Sequence, residues 1–179
     1  MSLNTKRLIL IPCVPAHILT LIEDPERFEQ AAGFPAAAGL REMYASGDVS
    51  PEWLAALRTS EAPDPWRHGF FLVQRESGAV IGAAGFKGPP DSAGMVEIAY
   101  GVVPSFEGQG YATEAAGALV AFALDSGLVK LVRAHTLPTG NASTRVLAKC
   151  GFRSAGDIIH HCDGSVWQWE LKPAVAETT

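Results

Sequence analysis

The chain has 179 residues, 47% hydrophobic and 18% charged, the balance of a folded globular protein and not of a disordered one. At roughly 100–200 residues per domain, one domain is expected over residues 1–172, with a frayed tail at 173–179. Fourteen Lys and Arg against nineteen Asp and Glu give a net charge of −5. That excludes a general nucleic-acid binder, which needs a basic field to displace counterions from phosphates.

Cys13, Cys150 and Cys162 are widely spaced. An odd count without a Cys-x-x-Cys pair argues against a disulfide framework or a zinc site. The opening residues lack the apolar run of a signal peptide, and no stretch of about 18 unbroken apolar residues marks a membrane span. A cytoplasmic setting is expected, with neither nucleic acid nor membrane as partner.

Leu8-Ile9-Leu10-Ile11 reads as a first buried strand, stopped by Pro12 and Pro15. Residues from Ala16 to about Thr59 read as helical pieces broken by Gly33, Pro35, Gly39 and Gly47. The best start signal among them is Ser50-Pro51-Glu52, with Ser at the N-cap and Pro at the first helical position. After Pro63-Asp64-Pro65, Phe70–Arg75 and Ala79–Phe86 form two strands joined by the turn Glu76-Ser77-Gly78. A loop at 88–94 leads to a third strand, Met95–Val103, so an antiparallel meander is expected.

The period then changes. Ala112, Ala115, Ala116, Leu119, Val120 and Ala123 recur at helical spacing, predicting a helix from about Gln109 to Asp125 that stops at Gly127. Leu131–Leu137 is the next strand, and Met95–Leu137 is long enough for a right-handed parallel crossover. A helix from about Ala142 to Cys150 follows, closed by Gly151. Phe152–Cys162 and Ser165–Leu171 form a last hairpin around Asp163-Gly164. The expected class is α+β (α/β): a mixed, mostly antiparallel sheet of six or seven strands, with helices on both faces and a central β-α-β unit.

The most informative stretch is Pro104-Ser105-Phe106-Glu107-Gly108-Gln109-Gly110-Tyr111-Ala112-Thr113-Glu114, between a strand and an amphipathic helix. Gly108 and Gly110 permit a tight turn and close approach of a ligand. The helix start offers free N–H groups and the positive end of a dipole, to which Thr113 could add a hydroxyl; a pyrophosphate is the natural guest. A plain strand-to-helix turn is the rival reading. A Walker loop is excluded, because no lysine follows the glycines. A dinucleotide fingerprint lacks both its third glycine and its acidic residue at the end of the next strand, Ala134-His135-Thr136.

Glu107-Gly108-Gln109-Gly110-Tyr111-Ala112 resembles the Gln/Arg-x-x-Gly-x-Gly/Ala pyrophosphate loop of the GNAT N-acetyltransferases. Thr5-Lys6-Arg7-Leu8-Ile9-Leu10, Gly110–Ala115 and Asn141–Phe152 resemble, in order, the opening strand, the helix start and the Asn…Ser…Lys-x-Gly-Phe segment of the branch that contains ribosomal-protein N-terminal acetyltransferases. The chain departs from that pattern at Glu107, where Gln or Arg is usual, and at Phe106, Ala148 and Ile11.

The resemblance implies an acetyl-CoA-dependent N-acetyltransferase that releases CoA and acts by direct attack of a primary amine in a ternary complex. The acceptor would be a protein N-terminus or a small molecule. Residues Gly108, Gln109, Gly110, Tyr111, Ala112 and Thr113 would hold the pyrophosphate, and the backbone at Tyr100, Val102 and Val103 the pantetheine arm. By resemblance Asn141 also bonds that arm, although a plain N-cap is its local reading. The family's Ser maps to Ser143, a candidate donor to the leaving sulfur. Tyr111 either closes over the cofactor or packs at the helix start.

Glu97 is the candidate base. It lies mid-strand between Val96 and Ile98, on the opposite face, where half-burial is expected to raise its pKa. Its rival reading is a solvated or ion-paired glutamate. Trp66, His68, Phe86 and Lys87 are candidates to line an acceptor cleft, with packing the rival reading for Trp66 and Phe86. His160-His161-Cys162-Asp163 sits at a hairpin tip where neighbours point to opposite faces, so no metal site is expected. Trp167 and Trp169 share a strand face and, if on the surface, would suit a homodimer. The functional rivals are a non-catalytic acyl-CoA-binding module on the same fold and a nucleotide-binding protein.

Overall fold

The computed structural model describes residues 1–45, 50–160 and 164–173. Its strands are β1 (Leu3–Asn4), β2 (Leu8–Pro12), β3 (Phe70–Gln74), β4 (Val80–Phe86), β5 (Met95–Val102), β6 (Leu131–Thr136), β7 (Arg153–His160) and β8 (Gly164–Leu171). They form one sheet in the order β1-β2-β3-β4-β5-β6-β8-β7. Every neighbouring pair is antiparallel except β5 and β6. The sheet therefore has eight strands, where the sequence predicts six or seven. The extra one is β1, whose two residues pair with Leu10 and Ile9.

Strand alternation divides the core in two. Phe70 and Leu72 of β3, with Val96 and Ile98 of β5, face one side. There they meet Ala115, Ala116, Leu119 and Ala123 of helix α6 (Tyr111–Asp125), the small-residue stripe legible in the sequence. Phe71 and Val73 face the other side. That side is covered by α1 (Pro15–Glu23), α2 (Phe28–Ala32), α3 (Leu40–Ala45) and α4 (Pro51–Thr59), through Ile18, Leu21, Phe28, Leu40 and Leu57. Among the described residues the remaining α-helices are α5 (Pro65–His68) and α7 (Ala142–Lys149). The Ser50 hydroxyl accepts from the Trp53 N–H with Pro51 at the first turn, so α4 starts where its cap predicts.

The meander and the parallel crossover β5–α6–β6 meet at the centre. β5 pairs with β6 only over Met95–Glu97 against Leu131–Arg133, yet β5 runs on to Val102 and β6 to Thr136. Beyond Glu97 the two strands part. Among the described residues no helix is long and apolar enough to cross a membrane. The expected tail falls outside the described residues except for Pro173, as do His161, Cys162 and Asp163 of the hairpin cluster.

Candidate active site

The parting of β5 from β6 leaves one edge of β5 without a partner strand. The Glu97 carbonyl accepts from the Lys87 N–H at 2.9 Å, and the Val103 N–H donates to the Ile81 carbonyl at 2.8 Å. In an antiparallel ladder the bonding direction alternates. The polar backbone groups of Glu97, Ala99, Gly101 and Val103 thus face β4, and those of Tyr100 and Val102 face the opening. Tyr100 and Val102, expected to bond the cofactor arm, turn these groups to the opening. Val103 does not: its N–H is engaged by Ile81 and its side chain is fully buried in the second core. Its proposed cofactor contact is corrected on that ground.

The glycine loop closes one end of this opening. Gly108 and Gly110 have φ of +70° and +84°, a region that a side chain strains. The first backbone bond into α6 runs from the Glu114 N–H to the Gly110 carbonyl at 3.1 Å. The N–H groups of Tyr111, Ala112 and Thr113 therefore precede the helical ladder and point out of the helix start. Gln109 contributes backbone only, since its side chain donates to the Ser105 carbonyl at 3.1 Å. Tyr111 is 6% exposed and its hydroxyl accepts from Gln74 at 2.7 Å. Packing is its main role, with one edge left on the cleft wall.

Arg7 holds this loop, a residue the sequence reading placed in the opening strand without assigning it a role. Its guanidinium donates to Glu114 at 2.9 Å and to the Gln109 carbonyl at 2.9 Å, and lies 4.3 Å from the Tyr111 ring centroid. Glu114 also accepts from the Thr5 hydroxyl and the Arg7 backbone N–H. A cation from the first strands thus sits behind the loop, where Glu107 supplies none. Burial would raise the Glu114 pKa, but these bonds from Thr5 and Arg7 and the Arg7 charge hold it below its ordinary value.

Across the opening stands α7. The Asn141 side chain accepts from the Thr144 N–H at 3.0 Å, and the Thr144 hydroxyl accepts from the Asn141 N–H at 3.1 Å, a complete capping box. Asn141 is thus engaged as a cap and does not line the cleft. Thr144 is buried by the same exchange, which leaves Ser143 as the α7 hydroxyl that reaches the cleft, beside the Tyr100 phenol. Together β5, the loop, α6 and α7 enclose about 490 Å³. Tyr100, Val102, Gly108, Gly110, Tyr111, Ala112, Thr113 and Ser143 line it, as do Arg145 and Lys149, whose spacing of four on α7 is the signal that sequence reading passed over.

The opposite sheet face carries Glu97. Its carboxylate is 2.9 Å from both the Lys87 ammonium and His135 Nδ1, and its side chain is only 15% exposed. Burial pushes its pKa up, but the bonds from His135 and Lys87 outweigh that and hold it below the ordinary value. The expected raised pKa is therefore corrected: Glu97 is a paired, ionised carboxylate, and it lines neither the cleft nor the groove beside it. His135 Nε2 lies 3.4 Å from Gln168, which donates to Glu170, and Glu170 pairs with Arg133 at 2.8 Å.

Beside this network, two adjoining hollows of about 400 and 510 Å³ form a groove that shares Trp53, Arg67, His68 and Phe86. Its floor is the small-residue surface of Ala83, Gly85, Ala99 and Gly101, and Met43, Tyr44 and Trp53 wall it. His68, Phe86 and Lys87 line it, and the largely buried Phe86 also packs in the core against Trp66, whose ring centroid lies 4.6 Å from Phe86 and 5.0 Å from Phe122. The groove meets the first cleft at Tyr100 and Gly101, which line both. Trp167 and Trp169 are half-buried, and Trp169 donates to the Thr136 hydroxyl at 3.1 Å.

A family model described as an acetyltransferase (GNAT) domain matches residues 7–153. The Bacillus subtilis protein YjdG, described as an uncharacterized N-acetyltransferase, is 30% identical over 106 residues, 59% of this chain and 58% of that protein. The matched stretch is thus little more than half of that relative's length. Among solved structures, the ribosomal-protein alpha-N-acetyltransferase RimL in complex with coenzyme A aligns with a TM-score of 0.65 at 14% identity, covering 96% of this chain and 98% of that one. A microcin self-immunity acetyltransferase in complex with acetyl-CoA and AMP aligns with a TM-score of 0.63 at 15% identity, covering 94% of each chain. At those identities the likeness speaks to the fold alone. With the family model spanning most of its length, the chain belongs to the GNAT family of acetyltransferases.

Proposed function

We propose that this chain is an acetyl-CoA-dependent N-acetyltransferase acting on a primary amine by direct attack within a ternary complex. One observation carries the reading: two separate hollows, one edged by a glycine loop and one by small residues and aromatics, meet at Tyr100 and Gly101 on the unpaired segment of β5. Such a junction lets two reactants approach from opposite sides of the sheet, which converts a bimolecular reaction into an oriented one.

Acetyl-CoA supplies an acetyl group activated as a thioester. The residues fit it: an unpaired strand edge for an amide-bearing arm, helix-start amides for a pyrophosphate, and Arg145 and Lys149 for further anionic charge. Ser143 and Tyr100, adjacent on the cleft wall, would be the proton donors to the leaving thiolate. Burial pushes the Tyr100 pKa up, so the phenol keeps its proton at neutral pH. Glu97, held ionised, draws the amine's proton toward the sheet face through water. Cys13 and Cys150 are both held protonated by burial, which disfavours an acyl-cysteine relay.

A second reading, a non-catalytic acyl-CoA-binding module, is favoured by one fact: Glu97 is occupied by Lys87 and His135. Calorimetric titration followed by an acceptor screen separates the two. Binding of acetyl-CoA and CoA near 1 μM, about −8 kcal/mol, without response to ATP or NAD, is expected. Binding without turnover on any amine would leave the module reading. No binding by folded protein would refute both.

A further inference from the structure

From the groove we infer the charge of the acceptor: a primary amine whose molecule also carries a carboxylate beside an apolar body. This rests on the acetyl-transfer reading above and deepens it. The charged or titratable side chains along the groove, apart from the phenols of Tyr44 and Tyr100, are Arg67, His68 and Lys87. Among the described residues no Asp or Glu lines it.

Each of the three presents donors. His68 Nδ1 accepts from the Asp64 N–H at 3.0 Å, so a proton on the ring sits on Nε2. Burial holds its pKa low, keeping the ring a neutral donor at pH 7. Arg67 offers the planar fork that matches a carboxylate. Its present partner, Asp64, lies at 3.3 Å in a pair whose side chains are 66% and 38% exposed, an open contact that leaves the guanidinium accessible to a second anion. Lys87 sets a positive charge on the groove wall, with its ammonium 2.9 Å from the Glu97 carboxylate.

The donors are also held in place. A Cβ on Gly69 would lie 2.7 Å from the Ala84 carbonyl, and one on Gly85 2.9 Å from the Gly69 Cα. The turn that carries Arg67 and His68 is thus pressed directly onto β4. Trp53, Leu57 and Phe86 supply the apolar wall between them. A polyamine or other polycation would meet Arg67 and Lys87 there, and among the described residues no carboxylate lines the groove itself.

The test follows CoA release by the full chain with acetyl-CoA and a series of amines: L-phenylalanine, L-phenylalaninamide, 2-phenylethylamine, spermidine, and a short amidated peptide with a free N-terminus and an acidic second residue. L-Phenylalanine is expected to exceed its amide and spermidine at least tenfold in kcat/KM, and R67Q to narrow the acid-to-amide ratio to within threefold. The acidic peptide exceeding L-phenylalanine, with its uncharged counterpart losing that advantage, would keep the anionic acceptor and place the carboxylate on a peptide. Equal or better turnover of the amide or of spermidine, or turnover of none of the series, would overturn the inference. Calorimetry on the same protein separates the two levels: absent acetyl-CoA binding refutes the acetyl-transfer reading, whereas binding and turnover without an anion preference refute only this one.

Discussion

Replacing Arg7 by alanine is the sharpest probe of the glycine loop. The guanidinium is 40% exposed and joins three partners: Glu114, the Gln109 carbonyl and the Tyr111 ring. A hydrogen bond to a charged group contributes about 1.5–3 kcal/mol when well shielded. At this exposure about 1 kcal/mol is the better figure. The cation–π contact adds about 0.5–1 kcal/mol. Glu114 keeps the Thr5 hydroxyl and the Arg7 backbone N–H, so truncation does not orphan it. The expected cost is about 1.5–2 kcal/mol, a fall in Tm of roughly 3–8 °C for a domain of this size. Loosening the loop should also weaken acetyl-CoA binding by about 1 kcal/mol, roughly fivefold in Kd. Differential scanning calorimetry and isothermal titration read the two effects separately. R7K keeps the charge and loses the fork, so it should recover less than half of either. A fall in Tm with acetyl-CoA affinity unchanged within twofold would refute the reasoning, leaving Arg7 as a clamp between strand and helix only.

Three further outcomes are expected. E97Q should lower kcat at least tenfold while acetyl-CoA affinity, read by calorimetry, stays within twofold; unchanged turnover would remove Glu97 from the chemistry. G82A places a Cβ 2.2 Å from the Gly101 carbonyl, a backbone collision that should cost more than about 3 kcal/mol and show as loss of soluble protein or a Tm drop above roughly 6 °C. The folded-state pKa values of Glu97 and Glu114 lie below the reference 4.5, so the stability they add is present above that pH and is lost as pH falls through their folded values. Tm should begin to fall below about pH 6.5, where the half-buried His17 and His68 resist protonation, and fall further below about pH 4.5 as the two carboxylates protonate; E114Q should flatten the second fall only.

Much of this architecture was readable from local signals. The Ser50-Pro51 and Asn141 caps, the alanine stripe of α6 and the short turn at Glu76-Ser77-Gly78 each depend on residues within a few positions. What escaped depends on distant partners. β1 is two residues long and exists only because Leu10 and Ile9 lie opposite. The partners of Glu97 lie ten residues before it and 38 after it, and their bonds reverse the shift that burial alone would give. Val103 looked like its neighbours in the strand until the register showed its N–H turned toward Ile81. Arg7 was visible as a basic residue, but its reach to a loop 102 positions away was not.

The short ladder between β5 and β6 has a mechanical consequence. The sheet is two plates, β1 to β5 and β6 to β7, stitched by three residue pairs at Met95–Glu97 and splinted by α6. The Glu97–His135 bond crosses that seam at its last stitch, so it acts as a clasp at the mouth of the wedge. Whatever occupies the opening bears on both plates at once. The three-pair seam and the α6 splint are therefore the points through which any strain between the two plates must pass.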